Sequence, residues 1–230
     1  MQWSWIPQNW TIIWQYTLDN ALLGLIPPLI GLVISVPLGI ASVARRWLYP
    51  PLLSLTSALY ALPSLALFVV LIDYTGLGNL TVIIPLTLFS LCVLLPNVVD
   101  GLRSVPEPVR QAATAMGFTQ LRRLVQVELP LSVPVVIAGL RVAVVSSISL
   151  ASLGQLIGVS SLGYFFIDGL QRSFPTEIYA GLALTLLLAL LCDLILVGVR
   201  RLLTPWARGR RVTPIARTPL GMRPVVGLPR

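Results

Sequence analysis

The chain has 230 residues, 56% of them hydrophobic and 10% charged, with a mean hydropathy of +0.89. A soluble domain carries roughly a quarter charged residues, so this composition excludes a soluble fold and points to an integral membrane protein. The net charge of +8 comes from arginine without lysine. Those arginines flank apolar runs and do not form the basic stripe of a nucleic-acid-binding protein. There is no histidine, and Cys92 and Cys192 lie inside apolar segments, which leaves no metal site and no disulfide framework.

The opening MQWSWIPQNW lacks a basic region ahead of an apolar run, so it does not read as a signal peptide. Insertion through the spans themselves is expected. Residues 1–18 are predicted to form an extracytoplasmic interfacial segment with Trp3, Ile6, Trp10 and Trp14 on one side; a simple anchor is the plainer alternative. Five apolar segments follow, at about 19–44, 51–72, 80–100, 131–153 and 177–199. Each is near the ~20 residues a helix needs to cross the hydrocarbon core. Prolines in or near them, Pro63 among them, are tolerated where neighbouring helices re-satisfy the backbone. Small residues, as in GLVISVPLGIAS, suit close helix packing.

Between the last two segments, GQLIGVSSLGYFFIDGL (154–170) is too polar and glycine-rich to cross. A re-entrant or surface helix buried against protein and an ordinary extracellular loop are both open. The tail, 201–230, is rich in Pro, Gly and Arg without acid. It is expected to be disordered and topogenic, with anionic-lipid contact as a lesser role. Placing the N-terminus outside and the C-terminus in the cytoplasm puts every arginine except Arg141 and Arg172 on the inner side; the opposite orientation reverses this.

One stretch departs from the apolar background: EPVRQAATAMGFTQLRRLVQVELP, Glu107 to Pro130, within the cytoplasmic insertion 104–130. Ser104 and Glu107 have capping-box spacing. Val109, Ala112, Ala113 and Met116 recur at i, i+3, i+4 and i+7, a single apolar stripe. Gly117 permits the left-handed turn that ends a helix. Thr119 is placed to cap a second helix with Leu121, Leu124 and Val125 on one side and Arg122 and Arg123 elsewhere, ended by Pro130. Physically this is a helix–glycine–helix at the membrane face. It is either an amphipathic connector on the headgroups or a small-residue surface that a partner approaches closely.

The spacing resembles the loop of the membrane subunits of bacterial ABC importers: Glu-Ala-Ala, three residues, Gly, nine residues, then aliphatic-x-Leu-Pro. Here it reads QAATAMG, nine residues, then VELP, with Ala112, Ala113, Gly117, Val127, Leu129 and Pro130 in register. Gln111 stands where that family usually has glutamate, which removes a charge and any salt bridge made there. ALPSLALF, VELPLSVPVVIAGLR and LIGVSSLGYFFIDGL resemble the glycine betaine/carnitine/choline permeases in particular. Methionine-type permeases are similar in the loop and near Gly163 but less so elsewhere. The resemblance covers about 17–200. It implies an all-α membrane fold of about five spans, the type I importer permease fold, and an ATPase-coupling loop comprising Glu107, Gln111, Ala112, Ala113, Met116, Gly117, Phe118, Arg122, Leu129 and Pro130.

Arg141 lies well inside the fourth segment, an expensive place for a charge. Two readings are open: it pairs with Asp193 or faces a water-filled pathway, or it snorkels to the inner headgroups. Pro63 and Ser64 interrupt the second segment, and Ser146 and Ser149 put hydroxyls along the fourth. These are candidate pathway residues, although span serines often only bond the preceding turn. The resemblance places 154–170, with Gly158 and Gly163, at an outer gate beneath a binding protein. No aromatic cage for a quaternary ammonium group is evident in the spans.

The expected function is therefore the permease subunit of an ATP-driven importer of a compatible solute such as glycine betaine, choline, carnitine or proline. It would work by alternating access in the bacterial cytoplasmic membrane. The chain carries no Walker loop, so ATP and Mg are expected on partner ATPase subunits. A second permease subunit, identical or homologous, an extracytoplasmic solute-binding protein and membrane lipid complete the expected partners, with no nucleic acid. A methionine-type or other small-solute permease is the alternative. An intramembrane enzyme or a scaffold is remote.

Overall fold

The computed structural model describes residues 5–206. Every regular element among them is helical, as lipid demands of backbone that cannot bond to water. In chain order these are α1 (Trp5–Gln8), α2 (Trp10–Ala44), α3 (Tyr49–Tyr60), α4 (Ser64–Thr75), α5 (Asn79–Arg103), α6 (Glu107–Ala115), α7 (Gln120–Arg123), α8 (Leu129–Ala151), α9 (Gly163–Gln171) and α10 (Pro175–Leu203). Short 3₁₀ turns at Arg46–Leu48 and Ser152–Ile157 and a π segment at Leu124–Glu128 complete the chain.

Small residues set the packing of the central helices. A Cβ on Gly31 would meet the Ser90 side chain at 3.0 Å and one on Gly39 would meet Val98 at 2.5 Å, so α2 and α5 lie close and run parallel. Gly139 meets Asn97 at 2.6 Å and Gly101 meets Ser132 at 3.2 Å, which makes α8 antiparallel to α5. Because α2 and α5 are parallel, the chain between them must return across the bundle, and only α3 and α4 are available to do so. Four helices are long and apolar enough to cross alone; counting the α3–α4 pair as one broken crossing gives five.

Two buried clusters fill the bundle. One joins Ile13, Leu94, Ile148, Phe165, Leu188 and Cys192 from α2, α5, α8, α9 and α10. The other joins Leu23, Phe68, Val82, Leu86 and Ile157. The outer faces of α2 and α10 expose leucine and isoleucine, including Leu22, Leu29, Leu186 and Leu190, as a lipid-facing surface does.

The structure differs from the expected segments at several boundaries. Of the expected interfacial segment 1–18, the described part divides between α1, Trp5–Gln8, and the start of α2, which begins at Trp10 and runs unbroken into the first span. Asn20, within α2, is fully buried and satisfied. Its Nδ2 donates to Ile148 O at 3.2 Å, and its Oδ1 accepts from Leu162 N and Ser152 Oγ, each at 3.3 Å. Trp5 folds back onto Phe165 and Phe174, Trp10 and Trp14 are exposed, and Trp3 lies outside the described residues.

The interruption expected at Pro63 and Ser64 in the segment 51–72 is a full break: α3 and α4 meet at 91°, with Pro63 capping α4. Proline has no N–H for the ladder and disfavours helix in the residue before it. The fourth span does not begin at 131. One continuous helix, Gln120–Ile157, joins the second coupling helix to the span, and Pro130 does not end it. The widened π segment just before absorbs the missing hydrogen bond, with Leu129 N–H bonded to Leu124 O. The third and fifth helices extend slightly past 80–100 and 177–199. Of the basic tail 201–230, α10 takes the part up to Leu203, and 207–230 lie outside the described residues.

Candidate functional site

The insertion between α5 and α8 projects from the arginine-rich end of the bundle. Its first helix starts later than the capping-box spacing predicts. Pro106 is the N-cap of α6, and Ser104 instead ends α5, its Oγ donating to Gly101 O at 2.7 Å. Pro106 biases Val105 away from helix, so α6 cannot begin there. The C-terminus of α6 is a Schellman turn: Gly117 takes φ of 82°, Gly117 N–H bonds Thr114 O and Phe118 N–H bonds Ala113 O. A side chain at that φ costs about 1 kcal/mol or more, which explains the glycine. Thr119 Oγ1 accepts from Arg122 N–H at 3.4 Å and caps α7 as predicted.

The expected apolar stripe does not face inward. Ala113 is buried, whereas Val109, Ala112 and Met116 are exposed, Met116 at 69%. Glu107 and Gln111 are exposed beside them, and Phe118 is half-buried beneath the Arg122 guanidinium, 4.6 Å from its ring centre. Arg122 Nε also donates to Gln126 Oε1 at 3.0 Å. Leu129 and Pro130, half-buried, lie within the continuous helix. The projecting surface therefore combines small and apolar groups, Ala112, Met116 and Gly117, with the amide of Gln111, and is bordered by the exposed Glu107 and Arg122.

Beneath that surface lies a cluster that sequence spacing does not reveal. Glu128 is 5% exposed, and its Oε1 accepts from Arg123 Nε at 2.8 Å. Arg110 Nε stands 4.0 Å from the same oxygen. Arg110 Nη2 donates to Leu102 O at 2.6 Å, which ties α6 to the end of α5. Arg123 Nη1 donates to Thr114 Oγ1 at 3.0 Å, closing the turn of the hairpin. Arg123 thus points inward, not away. One buried carboxylate holds α6, α7 and the root of α8 as a unit. The only sequence signal is an acid in VELP directly ahead of a long apolar helix.

Within the bundle Arg141 and Asp193 form a two-pronged pair, Nε to Oδ1 at 2.6 Å and Nη2 to Oδ2 at 2.7 Å, joining α8 to α10. That geometry is the strong form of the interaction and satisfies both groups away from the headgroups. Of the two readings left open by the sequence, the pairing is the one observed.

At the opposite end, 154–170 folds into the 3₁₀ turn and α9, packed on α10 and α2. Leu162, Phe165 and Ser161 are fully buried, so this is a helix embedded in protein. Gly158 closes the 3₁₀ turn, its N–H bonded to Gln155 O at 3.0 Å. Gly163 has no room for a side chain, because a Cβ would run into the Ser152 carbonyl. Tyr16 and Tyr164 stack at 4.7 Å beside it. Burial, with Asp168 nearby, pushes the Tyr164 phenol above its ordinary range, so it stays neutral. Pro63 and Ser64 sit at the bend between α3 and α4, with Pro63 exposed. Ser146 and Ser149 face outward on α8 in one stripe with Val142 and Val145.

The helix–glycine–helix is thus presented between α5 and α8 at one end of a membrane-spanning bundle, the setting of a coupling element. The chain is a member of the family of binding-protein-dependent transport system inner membrane components, whose pattern matches residues 31–209. Among curated proteins it is 34% identical to the osmoprotectant import permease protein OsmW of Salmonella typhimurium, covering 83% of this chain and 96% of that one. It is 33% identical to the glycine betaine/carnitine/choline transport system permease protein OpuCD of Bacillus subtilis, covering 86% and 87%. Among solved structures it resembles the MetNI methionine ABC transporter in an inward-facing conformation, with TM-score 0.74 at 21% identity over 86% of this chain, a likeness of fold. The chain is thus a multi-pass permease subunit of the bacterial inner membrane, not an enzyme, and works with an ATPase and a binding protein.

Proposed function

We propose that this permease carries compatible solutes of the glycine betaine, carnitine and choline class, with α6 and Gly117 as the element that docks on the ATPase. The observation that carries the docking role is the inversion of the insertion. Arg110 and Arg123 turn inward toward Glu128, while Ala112, Met116 and Gly117 are left bare at the surface. A bare, small-residue helix lets another protein reach the backbone, and the clamp lets the docked helix move α5 and α8 with it. Gln111 replaces a carboxylate with an amide that still donates and accepts hydrogen bonds. The substrate class is supported by the curated relatives, which name osmoprotectant, betaine, carnitine and choline transport.

The remaining parts of the assembly follow the same reading. ATP and its Mg are bound by the partner ATPase, and ATP closure and release drive alternating access. A second permease subunit, the same chain or a homologue, completes the pathway. The N-terminus faces outside, α9 lies at the outer gate beneath the binding protein, and α6 faces the cytoplasm, in accord with the arginine distribution. The methionine-type alternative rests on fold likeness alone. The test is uptake of labelled glycine betaine, carnitine, choline and methionine by the reconstituted complex. Import of methionine and of no quaternary ammonium solute would falsify the substrate class. Normal coupling by Gly117→Asp would remove the docking role.

A further inference from the structure

The bundle has one face unlike the others. Where α2 and α10 expose leucine and isoleucine, α3 and α8 expose Ser57, Ser146 and Ser149 interleaved with Leu55, Val142 and Val145. Hydroxyls turned toward hydrocarbon gain nothing, so this face looks onto water or another protein. A cleft opens there between α3, α5 and α8, lined by Tyr60, Phe89, Ser90, Val93, Ser146 and Ser147. We propose that the mouth of this cleft is a transit site for the trimethylammonium head of the solute, with the Tyr60 ring, backed by Phe89, taking the cation and Ser147 reaching the polar end through the water that the cleft has room for. The inference rests on the substrate class proposed above and adds the residues of this chain that the solute touches.

Three observations converge on it. First, the Tyr60 and Phe89 rings stand at 88° with centroids 6.0 Å apart and form a corner. Tyr60 is 60% exposed at the mouth and Phe89 is buried behind it. A quaternary ammonium cannot donate hydrogen bonds, so ring faces are the partners its charge can find without a carboxylate. Second, Ser147 is 3% exposed, yet its Oγ has no hydrogen-bond partner. Neighbouring hydroxyls in the spans bond the carbonyl four residues back, as Ser90 does with Leu86 O at 2.8 Å and Ser42 with Leu38 O at 2.7 Å. A buried hydroxyl left free at the wall of a cleft is poised for a ligand oxygen or a water. Third, the cleft adjoins the break after Tyr60, where α3 stops and the chain turns. Interrupted spans are where transporters commonly place their substrate sites.

The chemistry suits passage more than storage. No charged residue lines the cleft. In this single subunit it holds little more than a water, so the solute rests at the mouth against Tyr60. Contacts of this kind are weak, as a site on a transport path must be to release what it binds.

The test uses the complete complex of permease, ATPase and binding protein in proteoliposomes, with choline and glycine betaine as probes. Tyr60 is exposed, so Tyr60→Leu and Tyr60→Phe should both fold. Tyr60→Leu is expected to cut solute uptake about 3- to 10-fold, and Tyr60→Phe to stay within about 2-fold of wild type. Ser147→Ala is expected to lower uptake about 2- to 5-fold without loss of thermal stability. If wild type imports both solutes and Tyr60→Leu and Ser147→Ala match it, the site is wrong while the substrate class stands. A loss that Tyr60→Phe does not restore overturns the ring's role. A wild-type complex that imports no quaternary ammonium solute overturns the substrate class and the site together.

Discussion

Exchanging Arg141 for leucine isolates the ion pair between α8 and α10. The carboxylate it abandons, Asp193, lies seven residues, about 10 Å at 1.5 Å per residue, from Arg200 near the end of its helix, about a third of a ~30 Å hydrocarbon core. An unpaired aspartate costs about 3 kcal/mol at the centre of a span on an insertion scale, which is the upper bound at this depth, and its side chain is too short to reach the headgroups. The converse change, Asp193→Leu, leaves an arginine whose long stem can carry the guanidinium outward, so its cost is about half that. Both side chains are partly exposed, 30% and 23%, which makes these values ceilings. Replacing both with leucine removes the charge along with the pairing and should return stability to within about 1 kcal/mol of wild type. The four proteins, unfolded in bicelles by a denaturing detergent, form a double-mutant cycle with an expected coupling of about 2 kcal/mol. Additive single changes, with coupling below about 0.5 kcal/mol, refute the reasoning. Uptake by the double variant then assigns the pair's role. Normal transport makes it structural, and a stable variant that does not transport makes the charges part of the cycle.

Other outcomes follow from the same geometry. Glu128→Gln leaves Arg123 without its anion and should loosen the clamp by about 1 to 2 kcal/mol, read as more ATP hydrolysed per solute imported while the complex still assembles. Gly117→Asp has open space around it but the wrong backbone conformation, so it should fold with a penalty of about 1 kcal/mol and lose solute-stimulated ATP hydrolysis. Gly163→Ala drives a methyl into the Ser152 carbonyl and should destabilise α9 by about 1 to 3 kcal/mol, seen as faster proteolysis of 154–170. Single cysteines at Trp10 and Met116, in a variant lacking Cys92 and Cys192, should react with impermeant reagents from opposite sides of intact cells and inverted vesicles; reaction from the same side contradicts the proposed topology.

Much of this protein is local in character and so legible from its sequence. Apolar runs near twenty residues must become helices in lipid, because nothing else satisfies their backbone there. Gly117 and Thr119 mark the end of one helix and the start of the next, since the left-handed turn and the cap depend on single residues. The spacing from Ala112 to Pro130 already identifies the family of membrane subunits. Tertiary structure decides whatever depends on partners distant in the chain. Asn20 continues a helix instead of breaking it because α8 and Leu162 satisfy it from more than a hundred residues away. Arg123 turns inward because Glu128 is there to receive it, although helical spacing alone leaves it on the outer side. Arg141 meets Asp193 only because α10 packs against α8. Tyr60 and Phe89 form a corner only because α3 lies against α5, so an aromatic pair absent from any one span appears between two. A sequence displays the bonding capacity of each residue, and in this bundle the fold selects the partner that fulfils it.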